Sequence, residues 1–260
     1  MTSQPFRPFL AALFLTATAT VLQAQTDMVR GQDLKSKSGI VGGAGKDLAT
    51  VPDKGPFVPN TFTGSFRLVT HRYLNGKEVP GGADLLYWST PEHTSFAAAT
   101  PANKALNERV LVDLKAGQQY ILRSNAKGER FAEPSAKRTL AVAAAAAAPF
   151  TVELIDETRT IGEYECIKVL ATSPEGTWTC WMVKDVPPAM KDMGRTLTTP
   201  EGLAAAQLAG LSGFVMEYDW KGTGGDAVHG AVSELVVGTV DGTLMTVEGC
   251  TLGPVTAPTN

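Results

Sequence analysis

Cysteine, histidine and clustered positive charge are all scarce in this chain, and each shortage excludes something. Three cysteines in 260 residues are too few for a disulfide scaffold, so an apolar core must supply most of the stability. No CxxC spacing occurs, which removes the usual redox pair. The three histidines, His71, His93 and His229, fall on separate expected strands or loops with no HxH or HExxH. A structural zinc needs about four nitrogen or sulfur ligands, so no metal site is expected. The formal net charge is -3, and no basic run is interleaved with aromatics. Nucleic acid is therefore not an expected partner, because phosphate binding requires concentrated Lys and Arg to displace counterions.

Catalytic motifs are missing too. "GIVGGAGKD" resembles a phosphate loop, but Ile40 stands where the first glycine belongs and Asp47 where Ser or Thr belongs. No GxGxxG is present, since Leu48 occupies the last position. "GLSGF" around Ser212 lacks the final glycine of a nucleophile elbow and follows a helix instead of joining a strand to one. Asp84, Asp113, Asp156 and Glu157 are carboxylates of the kind any exported β-protein carries, and sequence alone pairs none of them for acid–base work. No catalytic residue and no cofactor are assigned, and an exported hydrolase ranks third among the functional readings.

What is present begins with a leader. "MTSQPFRPF" carries one cation, Arg7, followed by the uncharged apolar "LAALFLTATATVL" and a small residue, Ala24. This is the layout of a secretory signal peptide over residues 1–24, and the apolar run is shorter than the ~20 residues that span a bilayer. With no cysteine after it, a lipid anchor is not expected. The mature protein is expected to be periplasmic or secreted and not an integral membrane protein. Residues 25–60, rich in Gly, Lys, Asp, Ser and Pro, read as a flexible arm.

From residue 61 to 253 the texture is one β domain, with 254–260 as a tail. "TFTGSFRLVTHRY" alternates at the strand period, and Asn75-Gly76 supplies the positive φ of a type I′ hairpin. "ADLLYWST", "RVLVDL", "QQYILRS" and "FTVELIDETRTI" read as further strands with turns at Lys115–Gly117 and Asn125–Gly128. "GFVMEYDW" alternates most cleanly, and Asp241-Gly242 reads as a closing hairpin. Helix is limited to "TTPEGLAAAQLAGLSG", with Thr198 or Thr199 as cap and Leu203, Leu208 and Leu211 as its apolar stripe, and a short helix over "KRTLAVAAAAAAPF". The expected class is mainly β (β-rich α+β), a curved antiparallel meander or half-barrel with one or two short helices.

The most distinctive stretch is "TIGEYECIKVLATSPEGTWTCWMV", a hairpin carrying Cys166, Cys180, Trp178 and Trp181. Its register decides the cysteines. With Cys166 opposite Cys180 the loop is about five residues and both sulfurs share a face, allowing a disulfide. With residues 173–176 as the turn, the two point to opposite faces and no bridge can form without backbone rearrangement.

Thr160, Ile161, Gly162, Tyr164, Cys166 and Lys168, then Trp181 and Asp185, then Gly213 and Phe214, resemble the motif series of the DUF4412 family of exported bacterial proteins. Glu163 departs from the pattern, separating Gly162 from Tyr164, which the family usually has adjacent. The similarity covers about residues 62–225. The resemblance implies a sheet curved like the LolA-type half-barrel of periplasmic lipoprotein carriers and supplies no catalytic residues.

The leading reading is an exported, non-enzymatic binding protein that carries a lipid or other hydrophobic ligand on a concave sheet face. Trp178, Trp181, Phe214, Met216, Tyr218 and Trp220 are the expected lining, against the alternative that they fill the core. The rival function is a structural or protein-interaction module of the cell envelope.

Overall fold

The computed structural model describes residues 48–103, 105–141 and 151–253. The expected signal peptide, residues 25–47 of the arm, most of the poly-alanine stretch and the C-terminal tail lie outside them.

Two meanders make one sheet. The first runs through β2 (Gly64–Leu74), the short β3 (Lys77–Val79), β4 (Asp84–Ser89), β5 (His93–Ala98), β6 (Glu108–Asp113), β7 (Gln118–Ser124) and β8 (Arg130–Ala136). The second comprises β10 (Thr151–Ile161), β11 (Tyr164–Ser173), β12 (Gly176–Val183), β13 (Phe214–Gly222) and β14 (Asp226–Val237). β14 pairs antiparallel with β2 and welds the two, giving the order β10-β11-β12-β13-β14-β2-β4-β5-β6-β7-β8, with β3 beside β2. The β2–β3 turn is the expected one: Asn75 and Gly76 have φ of 50° and 76°, the left-handed pair a type I′ turn demands.

Between β12 and β13 the chain makes two helices, α1 (Met190–Thr196) and α2 (Pro200–Leu208). α2 is the expected helix, with Thr199 before it and Pro200 in its first turn, and Leu203, Leu208 and Leu211 are buried as the stripe requires. α1 was not expected; it packs on α2 so closely that a Cβ on Gly194 would lie 2.6 Å from the Ala206 Cα.

The helices share the sheet's main core. One apolar cluster joins Met193, Leu197 and Leu208 to inward side chains from Val169 on β11 round to Val112 on β6. The architecture is an open, curved, mainly antiparallel sheet around two short helices.

Several expectations are corrected here. Asp241-Gly242 makes no hairpin; the Asp241 carboxylate accepts from the Thr243 N–H at 2.9 Å and caps a 3₁₀ turn over Gly242–Met245. An Asp side chain that captures the N–H two residues on caps the helical turn that follows and gives the backbone an alternative to the strand ladder a hairpin needs. The chain instead crosses the outer face, where Met245 joins Leu111, Leu122 and Ala132, before β15 (Thr251–Leu252) pairs parallel with β8. Part of the arm is not loose: β1 (Thr50–Pro52) pairs with β9 (Arg138–Leu140), and Asn60 is buried with its amide donating to Ser89 Oγ and Thr94 Oγ1. β9 also replaces the start of the expected helix at 137–150: Leu140 stands opposite Thr50 in this second small sheet and is fully buried, and β9 contacts α1; residues 142–150 lie outside the described residues.

The cysteine hairpin takes the second register. Ser173 stands opposite Gly176 and Val169 opposite Cys180, so Cys180 faces the helices while Cys166, opposite Arg159 on β10, faces outward. The Cys166–Cys180 disulfide that the other register would allow is thereby excluded by the tight turn, and all three cysteines are free thiols. Burial pushes the Cys180 thiol up to about 12 and also raises Cys166, so neither is a ready nucleophile.

Candidate functional site

The helix pair covers the inner face over β11–β14, β2 and part of β4, but stops short of the far meander. Beyond the start of α2 a cavity of about 540 Å³ opens over β2 and β4–β7. Small side chains make it: Ala98 projects inward between Leu85 of β4 and the strand β6, where a larger residue would fill the gap. Leu85, Phe96 and Val110 supply apolar wall, and Val79 and Pro80 overhang it from the β3–β4 connection. That connection is pressed onto β2. A Cβ on Gly82 would meet the Thr70 carbonyl oxygen at 2.2 Å, and the Ala83 N–H donates to Thr70 Oγ1 at 2.8 Å.

Polar groups border the cavity on several sides, among them Thr100, Asn103 and Arg109 by β5 and β6. Thr70, Thr199, Gln119 and Glu201 border the cavity, and Glu201 also reaches a small void of about 10 Å³ beside Arg72 and Tyr218. Glu201 is buried, with Thr70 Oγ1 donating to its Oε1 at 3.4 Å. Burial raises its pKa, opposed by its own N–H, the Thr199 and Thr70 hydroxyls and the Arg72 charge. A carboxyl of this kind holds its proton more tightly than an exposed one.

The sign of its pH dependence follows. A folded pKa above the unfolded one, about 4.3, means the folded chain holds this proton more tightly. The contribution is complete below that value and is lost as pH rises through the raised folded pKa. Glu201→Gln should therefore flatten the fall in stability: urea unfolding should show no gain at pH 4 and a more stable variant at pH 8.

None of the six expected lining residues borders this cavity. Trp178, Phe214, Met216, Tyr218 and Trp220 are each 3% exposed or less, packed beneath the helices. Trp178 meets Tyr218 edge-on at 5.6 Å, and Phe214 lies 5.3 Å from Phe62 and 5.4 Å from Phe66. Trp181 faces outward beneath Arg159, whose guanidinium sits 4.3 Å from its ring. The correction has a plain cause: the helices follow β12 directly and cover the aromatic strands, leaving the alanine-bearing β5 side open. Sequence signals for this cavity were weak, since small side chains and a Pro80-Gly81-Gly82 loop carry no periodicity.

The carboxylates singled out earlier are mostly engaged elsewhere. Asp84 pairs with Arg67 at 2.6 Å, Glu157 with Lys168 at 2.6 Å, and Asp113 accepts from the Ala116 N–H at 2.7 Å. Among the described residues no helix is long and apolar enough to cross a membrane.

No protein-family model matches the chain, so the DUF4412 resemblance is not extended by one. No curated protein matches it either. Solved structures give loose similarities. PNGF-II aligns at 14% identity and TM-score 0.32 over 73% of this chain, which covers only 30% of that protein's length. A LolA superfamily protein from Nitrosomonas europaea aligns at 6% identity and TM-score 0.32, covering 73% of this chain and 92% of the other. MucB in complex with MucA aligns at 10% identity and TM-score 0.31, covering 74% and 57%.

Proposed function

We propose that this is an exported, non-enzymatic protein that binds a hydrophobic small molecule, such as a lipid acyl chain, in the cavity between the start of α2 and strands β4–β7. The cavity itself carries the reading: about 540 Å³, mainly apolar in surface, with Leu85, Phe96, Ala98 and Val110 in its wall and polar side chains such as Thr70, Asn103, Gln119 and Glu201 at its borders. Small-molecule sites have this size and this distribution of few polar groups on apolar walls. Burying about ten methylenes there is worth about 8 kcal/mol before the costs of association. Export rests on the leader pattern of residues 1–24, and kinship with the DUF4412 proteins on the Thr160–Lys168 and Trp181–Asp185 segments.

A second reading has its own observation. β10 pairs with β11 on one side and, among the described residues, forms an edge of the sheet, 11 residues long with Val152 and Leu154 exposed at 50% and 61%, a surface that a partner strand in the envelope could extend. Its charges, Glu153, Asp156, Glu157 and Arg159, and its bulge after Ile155 are the usual protections of an edge, so ligand binding is preferred. Native mass spectrometry of protein purified from its own host separates the two. A lipid-sized adduct is expected; a clean mass, with a defined partner in a pull-down, would favour the edge.

A further inference from the structure

We propose that the outer face of the sheet carries a divalent-metal site of the zinc class, formed by Glu217, Asp219 and His229 with His71 beside them. Sheet register builds it. Asp219 on β13 stands opposite His229 on β14, which stands opposite His71 on β2, so three strands set these side chains in one row. Glu217, two residues before Asp219, projects from the same face. One ligand atom from each of Glu217, Asp219 and His229 lies within 4.8 Å of the others. Ligand atoms around one zinc sit about 3–3.6 Å apart, given metal–ligand bonds of about 2.0–2.2 Å. Side-chain rotations of these half-exposed groups close the difference.

The imidazoles are already oriented. His229 Nδ1 lies 3.0 Å from Asp219 Oδ1, and His71 Nδ1 lies 2.8 Å from Glu78 Oε1. His229 Nδ1 and Asp219 Oδ1 stand at the separation of two ligands of one ion, which replaces the hydrogen bond between them, while His71, with its Nδ1–H on Glu78, presents Nε2 as a lone pair. The two rings are 6.5 Å apart between centroids and inclined by only 32°, so His71 can swing in as a fourth ligand. Imidazole with carboxylate suits zinc and its neighbours better than calcium or magnesium, which prefer oxygen alone. Arg159 holds Glu217 at 2.7 Å and must yield it, remaining on Trp181 when it does.

The test uses chelator-treated protein titrated with Zn²⁺ by calorimetry and with Co²⁺ by visible absorption. One equivalent is expected, with d–d bands for Co²⁺. Affinity should fall at least ten-fold in His229→Ala and in the near-isosteric Asp219→Asn, and a few-fold in His71→Ala. His93→Ala, at the remaining histidine on β5, should leave it unchanged. Circular dichroism melts confirm that each variant is folded. Absence of stoichiometric binding by the native protein, or equal affinity in folded His229→Ala and Asp219→Asn, overturns the site.

Discussion

Replacing Asp192 with alanine should destabilise the protein by about 3–5 kcal/mol, the range seen when one partner of a buried ion pair is removed. Asp192 is fully buried on α1 and accepts from the backbone N–H groups of Thr61 and Phe62 at 2.8 and 2.9 Å. Its other oxygen takes the Arg195 guanidinium at 2.8 Å, and Arg195 in turn donates to the carbonyls of Val58 and Pro59. One carboxylate thus ties the incoming arm to the helices that share the sheet's main core. Alanine leaves the Thr61 and Phe62 N–H donors without their acceptor, that of Phe62 buried. Asp192→Asn keeps an oxygen for those donors and loses only the charge, so it should cost about half as much. Urea unfolding of the three proteins, with m held constant, reads the difference directly.

Ala98→Trp should abolish ligand uptake while leaving the fold intact. Ala98 projects into the cavity between Leu85 and β6, and an indole there occupies the space an acyl chain would take. At least a ten-fold loss of affinity for a fluorescent fatty-acid probe is expected, with little change in unfolding midpoint because the site is open. Phe214→Ala supplies the contrast. Phe214 packs on Phe62 and Phe66 away from the cavity, so its loss should cost about 3–5 kcal/mol of stability and little affinity per folded molecule.

The sheet was legible in the sequence where one face of a strand is buried and the other is not. Phe66, Leu68, Thr70 and Arg72 point inward on β2 at alternate positions, and the Asn75-Gly76 turn has only one favourable reading. α2 was legible from Thr199, Pro200 and its leucines. α1 was not, because its seven residues are too few for a period to show and its stability comes from Asp192 reaching a segment far away in the chain. The cysteine register hung on the length of one turn. The aromatic residues misled for a physical reason: large apolar side chains mark where packing is densest, whereas a cavity is marked by what is small. Ala98 and Gly82 have no signature of their own, and only the pairing of β14 with β2 brings His229 to His71.

Photolabelling with a diazirine-bearing fatty acid, followed by peptide mapping, tests the central claim most directly. Binding in the cavity predicts adducts confined to the peptides that hold Val79–Leu85, Phe96–Ala98 and Val110, displaced by unlabelled fatty acid and absent from Ala98→Trp. Displaceable labelling centred on Val152 and Leu154 of β10, or none that unlabelled fatty acid can displace, would contradict it.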